Sequence, residues 1–323
     1  MQSVRSLCSF VAILAVVSPL LSIQASHAAT FYVATSGNDV NPGTAELPFQ
    51  TIQRGASVLS AGDTLIVRGG TYSESLFYIP SGTSWSAPVT VQAASGETVV
   101  LQASSDIVVY IGDNSQYIIL NGFILDANHS ATFAFATGAA SHIRVQNCEM
   151  KNALGSGMLV YGHSHEFSNL DVHDNGASGY DHGLYLQSSR TRIESSRFYS
   201  HLGYGIHAFG AGGINDNIFD SNLIYGNMSG GLWVGAGVRN TVSNNTIWDN
   251  GNGLILQSPG STVYNNTIYN NYGASGDRGI GIVILGSDSG VEIIGNTVYG
   301  NADGAIYGVR DATVRNNFFD RIL

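Results

Sequence analysis

The stretch NNTIWDNGNGLILQSPGSTVYNNTIYNN, residues 244–271, contains most of the pattern that predicts the fold. Three short apolar segments, TIW, LIL and TVY, are separated by glycine, asparagine, serine and aspartate. Alternating apolar residues bounded by such turn formers are typical of short β-strands. The motif NNT then returns at residues 265–267, so the stretch spans one structural repeat of three strands.

A glycine followed by an apolar–X–apolar triplet marks the same repeat along the second half of the chain. Successive glycines are 26, 22, 26, 22, 28 and 23 residues apart. They are Gly157, Gly183, Gly205, Gly231, Gly253, Gly281 and Gly304. A repeat of this length with three short strands predicts an all-β parallel solenoid, whose successive rungs pair at about 4.8 Å. A leucine-rich repeat has a similar period, but its LxxLxLxxN signature with helical return segments is absent from this sequence.

Stacked rungs place equivalent residues in ladders along the axis. An asparagine ladder satisfies the backbone groups of the turns and therefore has a structural role. The repeat predicts one ladder, formed by Asn147, Asn169, Ser196, Asn222, Asn245, Asn266, Asn296 and Asn317.

Residues 30–72 differ from the repeats and include a helical stretch near Phe49–Leu59, which we expect to cap the open end of the solenoid. The run GNDxNPGT…PFxTIxxA…GDTxxVRGGTY resembles the N-terminal segment of secreted right-handed parallel β-helix proteins, the group that contains pectate-lyase-like polysaccharide lyases. The resemblance implies a right-handed parallel β-helix with three short strands per rung and an N-terminal capping helix. We therefore expect one domain over residues 29–323, with the cap and first rung in residues 29–72.

The first 28 residues have the pattern of a signal peptide. A short basic start precedes the apolar run FVAILAVVSPLLSI, and Ser26 and Ala28 occupy positions −3 and −1 of the expected cleavage site. The protein is therefore expected to be secreted or periplasmic, with no membrane attachment after cleavage. Cys8 would leave with the signal, so Cys148 remains alone and no internal disulfide can form.

The net charge of −10 disfavours nucleic acid and anionic membranes as partners. An acidic polysaccharide would need a local basic patch or a bound cation such as calcium. The sequence indicates no oligomeric state.

The glycine marker also predicts which side chains face solvent. Positions +1 and +3 after each glycine are almost uniformly aliphatic, so they face the core and position +2 points outward. Position +2 reads Leu159, Tyr185, His207, Trp233, Ile255, Val283 and Ile306, and position +4 adds Tyr161, Gln187, Phe209 and Gln257. An outward aromatic row can stack on the apolar faces of pyranose rings. The alternatives are a covering loop, residues 207–217, or rings that only stabilise the sheet.

The segment GYDHGLYLQSS, residues 179–189, carries the catalytic candidates. They are Asp181, His182, Tyr185 and, one rung later, His207. We expect the close pairs to be formed across rungs, Tyr185 with His207 and His182 with Tyr204. In the competing interpretation, Asp181 binds turn amides and His182 is a structural turn residue.

If the substrate is a uronate polymer, β-elimination needs a group that neutralises the carboxylate, a base for the C5 proton and an acid for O4. Five of the 13 basic residues fall in one stretch and could together neutralise the carboxylate. They are Arg190, Arg192 and Arg197, with Arg144 and Lys151. His207 or His182 would act as the base and Tyr185 or Tyr204 as the acid. Trp233, Tyr204, Gln187 and Tyr161 would contact the sugar.

Several alternatives remain open at this level. The motif YDHG, residues 180–183, is loosely similar to the Tyr/Asp/His cluster of mannuronan C5-epimerases, which implies an epimerase. A non-catalytic carbohydrate-binding or adhesin β-helix would have the same repeats. No metal site is predicted, although calcium stays open as a cofactor. Three oxygen- or histidine-rich segments are weak candidates: residues 38–41, residues 163–166 and residues 171–174.

Overall fold

The computed structural model describes residues 28–103, 105–210, 212–273 and 278–321. Within this part the strands form one 21-stranded and one 11-stranded parallel sheet, wound as a right-handed β-helix. The predicted fold class is confirmed. The predicted signal peptide lies, apart from its last residue, outside the described residues.

The strands fall into three sheets, and sheet 1 begins later along the chain than sheets 2 and 3. Sheet 1 follows the marker glycines and contains Ile107–Ile111, Phe133–Thr137, Met158–His163, Leu184–Ser189, Tyr204–Ala208, Gly230–Val234, Asn252–Leu256, Ile280–Ile284 and Gly304–Tyr307. Sheet 2 contains Thr30–Val33, Thr64–Val67, Val89–Ala93, Gln116–Asn121, Ser141–Gln146, Glu166–Ser168, Arg192–Glu194, Ile218–Asp220, Thr241–Ser243, Thr262–Tyr264, Glu292–Ile294 and Thr313–Arg315. Sheet 3, the 11-stranded sheet, contains Gly70–Ser73, Val99–Gln102, Phe123–Asp126, Glu149–Lys151, Asp171–His173, Arg197–Tyr199, Leu223–Tyr225, Thr246–Trp248, Thr267–Tyr269, Thr297–Tyr299 and Phe318–Phe319. A single pairing, Ser141 with His163, joins sheets 1 and 2 into the 21-stranded sheet.

The marker glycines are required by space. A Cβ on Gly183 would lie 2.5 Å from the carbonyl oxygen of Gly205, and one on Gly253 would lie 2.5 Å from Cγ2 of Ile268. The alternating residues that follow are buried, for example Leu184 and Leu186 at 0% exposure. The glycine column therefore lets sheet 1 approach sheet 3 closely enough to close the core.

The prediction for the last repeat was wrong by one residue. Ile282 pairs with Ile306 and Val283 pairs with Tyr307, so Ala305 and not Gly304 holds the marker position. Ile306 is buried in the core, whereas Tyr307 is 43% exposed. The outward residue of this rung is therefore Tyr307.

The predicted asparagine ladder is confirmed from Ser196 to Asn317. The backbone N–H of each member donates to the side-chain oxygen of the next, as from Asn222 to Asn245 over 2.9 Å. Asn147 and Asn169 do not belong to it, because they occupy the preceding corner position in a left-handed conformation, with φ of 55° and 52°. Their side chains bond each other on the surface.

Two further buried ladders were missed by the sequence analysis. One contains Asn175, His201, Asn227, Asn250, Asn271 and Asn301. The other contains Thr191, Asn217, Asn240 and Ser261. All three corners of the solenoid are therefore held by side chains that satisfy buried turn amides.

The predicted helical stretch is shorter than expected, Ile52–Ser57. The Thr51 hydroxyl accepts from the Arg54 amide at its start, and the buried Ile52 and Ala56 face the core. The helix packs against the first two strands of sheet 2. Among the described residues no helix has the length and apolar composition needed to span a membrane.

Sheet 3 carries an outward stack of six aromatic rings. Neighbouring ring centroids are 4.3–6.0 Å apart and the planes are within 13° of parallel. The stack contains His173, Tyr199, Tyr225, Trp248, Tyr269 and Tyr299. Because each ring covers the face of its neighbour, mainly ring edges remain for solvent, and we assign the stack a stabilising role.

Candidate active site

Sheet 1 presents three aromatic side chains on consecutive rungs. Tyr185 pairs in register with His207, which pairs with Trp233. The Tyr185 and His207 rings stack at 5.2 Å, and the His207 and Trp233 rings stack at 4.7 Å. The column predicted from position +2 is therefore present, and each of its rings is partly exposed.

Two more rings flank this column. Tyr204 lies 5.4 Å from both His207 and Trp233, and Phe209 lies 5.7 Å from His207 on the other side. Glycines make room for both, since a Cβ on Gly230 would meet the Tyr204 ring at 2.7 Å and one on Gly235 would meet the Phe209 ring at 2.3 Å. The sequence thus places glycine where each flanking ring crosses the next rung.

A direct hydrogen bond joins the two candidate histidines. Nε2 of His182 and Nδ1 of His207 are 2.8 Å apart, although the residues lie on different rungs and at different positions of the repeat. His182 is 4% exposed, and its ring also packs against Tyr204 at 5.6 Å. The predicted pairs Tyr185–His207 and His182–Tyr204 are both present, and the His182–His207 bond is an addition that sequence reasoning missed.

The backbone fixes which nitrogen of each histidine carries the proton. The N–H of Tyr204 donates to Nδ1 of His182 over 3.1 Å, so this nitrogen holds a lone pair. A neutral His182 therefore carries its proton on Nε2 and donates it to Nδ1 of His207. His207 in turn carries its own proton on Nε2.

Both histidines are neutral at physiological pH. Burial, together with nearby His207 and His201, lowers the pKa of His182 to about 3. Burial lowers the pKa of His207 to about 4. In this hydrogen-bonded state His207 offers an N–H donor to the sheet surface and no lone pair, so the expected role of a histidine as the base does not fit the geometry.

Two ring N–H groups next to each other lack a hydrogen-bond partner among the described residues. They are Nε2 of His207 and Nε1 of Trp233, and both atoms are buried beneath the surrounding rings. An unsatisfied buried donor costs free energy and calls for an explanation, such as a ligand oxygen. The flanking Tyr204 and Phe209 rings would have to rotate for such an oxygen to enter.

The column continues into a cleft of about 400 Å³ on the earlier rungs of sheet 1. Tyr110, Ala136, Leu159 and Tyr161 form part of its lining. Gln187 links it to the column, since its amide donates to the Tyr161 hydroxyl over 3.4 Å. The cleft and the column together, which we call the sheet 1 groove, run across the rungs along the axis.

The hydrogen-bonded oxygen of Asp181, Oδ2, is held by its own turn and not by the groove. Oδ2 accepts from the backbone N–H of Ala177 and Ser178 and from the Ser178 hydroxyl, at 2.7–3.2 Å. The alternative in which Asp181 binds turn amides is therefore what the structure contains. It positions the turn that precedes His182.

The predicted basic residues are not brought together with His207. Arg192 lies on sheet 2 and pairs with Glu194, whereas Arg197 lies on sheet 3 and pairs with Asp171. Arg190 is at the corner before sheet 2, where its Nε donates to the Ser164 hydroxyl over 3.4 Å. Lys151, the only lysine of the chain, pairs with Glu149 on sheet 3. The strand pattern separates these residues because side chains close in sequence turn onto different sheets.

The candidate metal ligands have protein partners. Asp39 accepts from the Gln50 and Thr51 amides at the start of the helix, and His165 is buried with its Nε2 bonded to the Tyr161 carbonyl. Within the described ranges no group of three His, Cys, Asp or Glu side chains is arranged to hold a metal ion. These residues do not form a calcium donor set, and we derive no step through calcium.

Comparisons with known proteins agree with this architecture. The model of a Pel9A-like right-handed β-helix region matches residues 31–217, and that of a right-handed β-helix region matches residues 156–319. The pectate lyase PEL9 of Emericella nidulans is 40% identical over 76 residues, which cover 23% of this chain and 18% of the relative. The chain spans less than a third of the length of the curated relatives it matches.

Solved structures resemble the whole solenoid at low sequence identity. XylC in complex with xylose superposes with a TM-score of 0.68 at 14% identity, over 88% of this chain and 70% of that one. Pectate lyase Pel9A superposes with a TM-score of 0.64 at 16% identity, over 90% of this chain and 78% of that one. At these identities the likeness concerns the fold.

Proposed function

Since the chain belongs to the family of Pel9A-like right-handed β-helix proteins, we propose that it is an exported lyase that cleaves a uronic-acid-containing polysaccharide by β-elimination. The observation that carries this proposal is the pair of unsatisfied N–H donors, His207 Nε2 and Trp233 Nε1, inside an aromatic groove. A uronate supplies both a ring face for the aromatic side chains and carboxylate oxygens for the two donors.

The two donors would take the place of the basic patch or bound cation that an acidic polysaccharide otherwise needs. When the C5 proton leaves, negative charge develops on the carboxylate, and fixed donors in a water-poor site stabilise that charge. The His182 bond and the stacked Tyr185 and Trp233 rings hold the His207 donor in place. The aromatic walls keep the local dielectric constant low, which strengthens each bond.

The two phenols near His207 would transfer the protons. Burial, and the nearby Tyr161, raise the pKa of Tyr185, so its phenol remains protonated and suits the acid role. Tyr204, whose ring lies 5.4 Å from that of His207, is the candidate base that would take the C5 proton. The C5–H electron pair forms the C4=C5 double bond, the C4–O4 bond breaks, and O4 takes the Tyr185 proton. Proton exchange through solvent then restores both groups.

Export rests on the first 28 residues alone. We propose that cleavage after Ala28 releases the enzyme into the periplasm or medium, where polysaccharide is met. Sequencing the N-terminus of the exported protein should give Ala29, and retention of the intact chain in the cytoplasm would refute export without bearing on catalysis.

The test of the proposed reaction is the ultraviolet absorbance of the new C4=C5 double bond. Mature protein is incubated with a panel of uronate polymers, with and without calcium, beside His207→Ala, Tyr185→Phe and the control Trp248→Leu on sheet 3. We expect absorbance to rise with the wild type and the control, and to be lost or reduced about 10²-fold or more in the two groove variants. Proton exchange at C5 without a rise would indicate an epimerase instead. Binding without either reaction would indicate a carbohydrate-binding protein, and equal rates for all variants would refute the site.

A further inference from the structure

A second cleft lies around the corner from the groove, on sheet 2. It measures about 610 Å³ and is lined in part by Trp85, His142, Ser164, Arg190 and Arg192. From the sequence, Arg190 and Arg192 were expected at the same substrate site as His207, but the structure places Arg190 at the sheet 1–sheet 2 corner and Arg192 on sheet 2. We call this cleft the arginine cleft.

The backbone at this corner adopts the left-handed conformation on successive rungs. Tyr117, His142 and Arg190 occupy equivalent positions of the repeat with φ of 52°, 54° and 55°. Ser164, Asp216 and Arg239 hold the same position with φ of 61°, 58° and 58°, and the later rungs fill it with Gly260 and Gly290. Left-handed non-glycine residues recur along the described chain, so this conformation belongs to the corner itself. The corner serves here to direct the side chains of His142 and Arg190 toward the cleft.

The charges around the cleft leave one guanidinium over. Arg144 pairs with Glu166, Arg192 with Glu194, and Arg239 with Asp216. No ion pair of the described residues includes Arg190, whose Nε donates to the Ser164 hydroxyl over 3.4 Å. Arg239, by its hydrogen bond, and then the charge of Arg190 lower the pKa of Asp216, so Arg190 shares this carboxylate at longer range and keeps its N–H donors for one further negative group.

Aromatic groups stand beside that charge. Tyr117 and His142 stack at 4.6 Å, and Trp85 meets the Tyr117 ring at 5.4 Å. Nδ1 of His142 is buried without a hydrogen-bond partner in the described part of the chain. The cleft is also lined by three carboxylates, Glu166, Glu194 and Asp216, each paired with an arginine. Its ring edges, the unsatisfied ring nitrogen and the Arg190 guanidinium match the ring, the hydroxyls and the carboxylate of a sugar acid.

We propose that the arginine cleft is a second binding site for a uronate unit of the same polymer, separate from the groove in which the chain is cleaved. This inference rests on the proposed function for the identity of the polymer. A long chain that engages both sites would bind more tightly than a short oligosaccharide, because the second contact becomes intramolecular. The cleft would therefore raise affinity for polymer without taking part in the chemistry.

The test compares Arg190→Gln with Arg239→Gln, which removes a corner arginine already paired with Asp216. KM and kcat are measured on the polymer and on an oligouronate too short to reach both sites. Arg190→Gln should raise KM for the polymer about tenfold or more, with kcat and the oligouronate parameters unchanged. Arg239→Gln should match the wild type.

A calorimetric titration of the His207→Ala protein with the oligouronate measures binding alone, so its result is independent of catalysis. Binding that remains in His207→Ala and disappears when Arg190→Gln is added supports the arginine cleft even if no lyase activity is found. Unchanged polymer KM in Arg190→Gln, an equal loss in Arg239→Gln, or equal binding of a neutral polymer would overturn it.

Discussion

The hydrogen bond between His182 and His207 makes a sharp prediction for His182→Phe. Phenylalanine fills a similar volume but has neither the Nδ1 acceptor nor the Nε2 donor. The substitution therefore leaves the Tyr204 N–H without an acceptor and Nδ1 of His207 without a donor. His182 is 4% exposed, so water does not readily replace either partner.

The expected magnitudes follow from these two broken bonds. Each buried group left unsatisfied costs about 1–3 kcal/mol, so the free energy of unfolding should fall by about 2–6 kcal/mol. His207 would also be free to rotate and to move its proton to Nδ1. Turnover should then approach the loss caused by removing one transition-state donor, a factor of about 10²–10³ in kcat.

The assay combines urea denaturation, kcat on the uronate polymer and ¹⁵N NMR of the His207 ring. The wild type should show one tautomer with the proton on Nε2, and His182→Phe a mixture. His182→Gln, which supplies an amide donor and a carbonyl acceptor, should restore much of both readouts. Asn245→Ala, in the ladder at the corner between sheets 2 and 3, should lose stability while the His207 tautomer is unchanged. A single Nε2–H tautomer with full kcat in His182→Phe would refute the reasoning.

Three further predictions concern stability. Burial lowers the pKa of His165, His201 and His207 to about 4. Between this pH and the ordinary histidine pKa of 6.5, the unfolded chain therefore binds more protons than the folded one. Stability should therefore decrease as the pH falls through this window, by about 1.4 kcal/mol per pH unit for each such histidine, and a flat urea midpoint would contradict this. Asn245→Ala deprives the Asn222 amide and the Phe219 carbonyl of their partner, which should cost about 2–6 kcal/mol in a urea titration, whereas Thr246→Ser at the neighbouring half-buried position keeps its hydroxyl and should cost little. Trp248→Leu breaks two stacking contacts on sheet 3 and should cost about 1–3 kcal/mol without changing kcat, so a loss of activity would disprove the stabilising role of the stack.

The rungs could be predicted because their cause is local. A glycine that admits close packing, followed by alternating apolar residues, identifies the strand of sheet 1 and the outward position of Tyr185, His207 and Trp233. The members of the ladders were harder to predict from the sequence, because each corner contains two adjacent polar positions. Asn147 lies in the exposed left-handed position, and the neighbouring Cys148 is the buried one. A repeat count cannot separate two such positions, but the left-handed φ can.

The contents of the site were only partly visible in the sequence. The pairing of Tyr185 with His207 follows from equal positions in adjacent rungs. The bond from His182 to His207 joins position −1 of one rung to position +2 of the next, and it depends on a side chain that turns into the sheet surface. The sequence did contain one signal for a special role of His182, which occupies a position that Ser156, Tyr204 and Gly230 fill in neighbouring rungs. Arg197 was misgrouped because nearness in sequence does not mean nearness on a solenoid.

The most direct test of the central claim follows the indole N–H resonances as an oligouronate is added to Tyr185→Phe protein, which should bind without turning over. The chain has three tryptophans, one in the groove, one in the arginine cleft and one in the sheet 3 stack. If the groove binds the uronate through its free donors, the Trp233 indole N–H and the Nε2–H of His207 shift together, while Trp248 does not move. A saturable shift of Trp248 with Trp233 and His207 unchanged would show that the sugar binds elsewhere and would contradict the account.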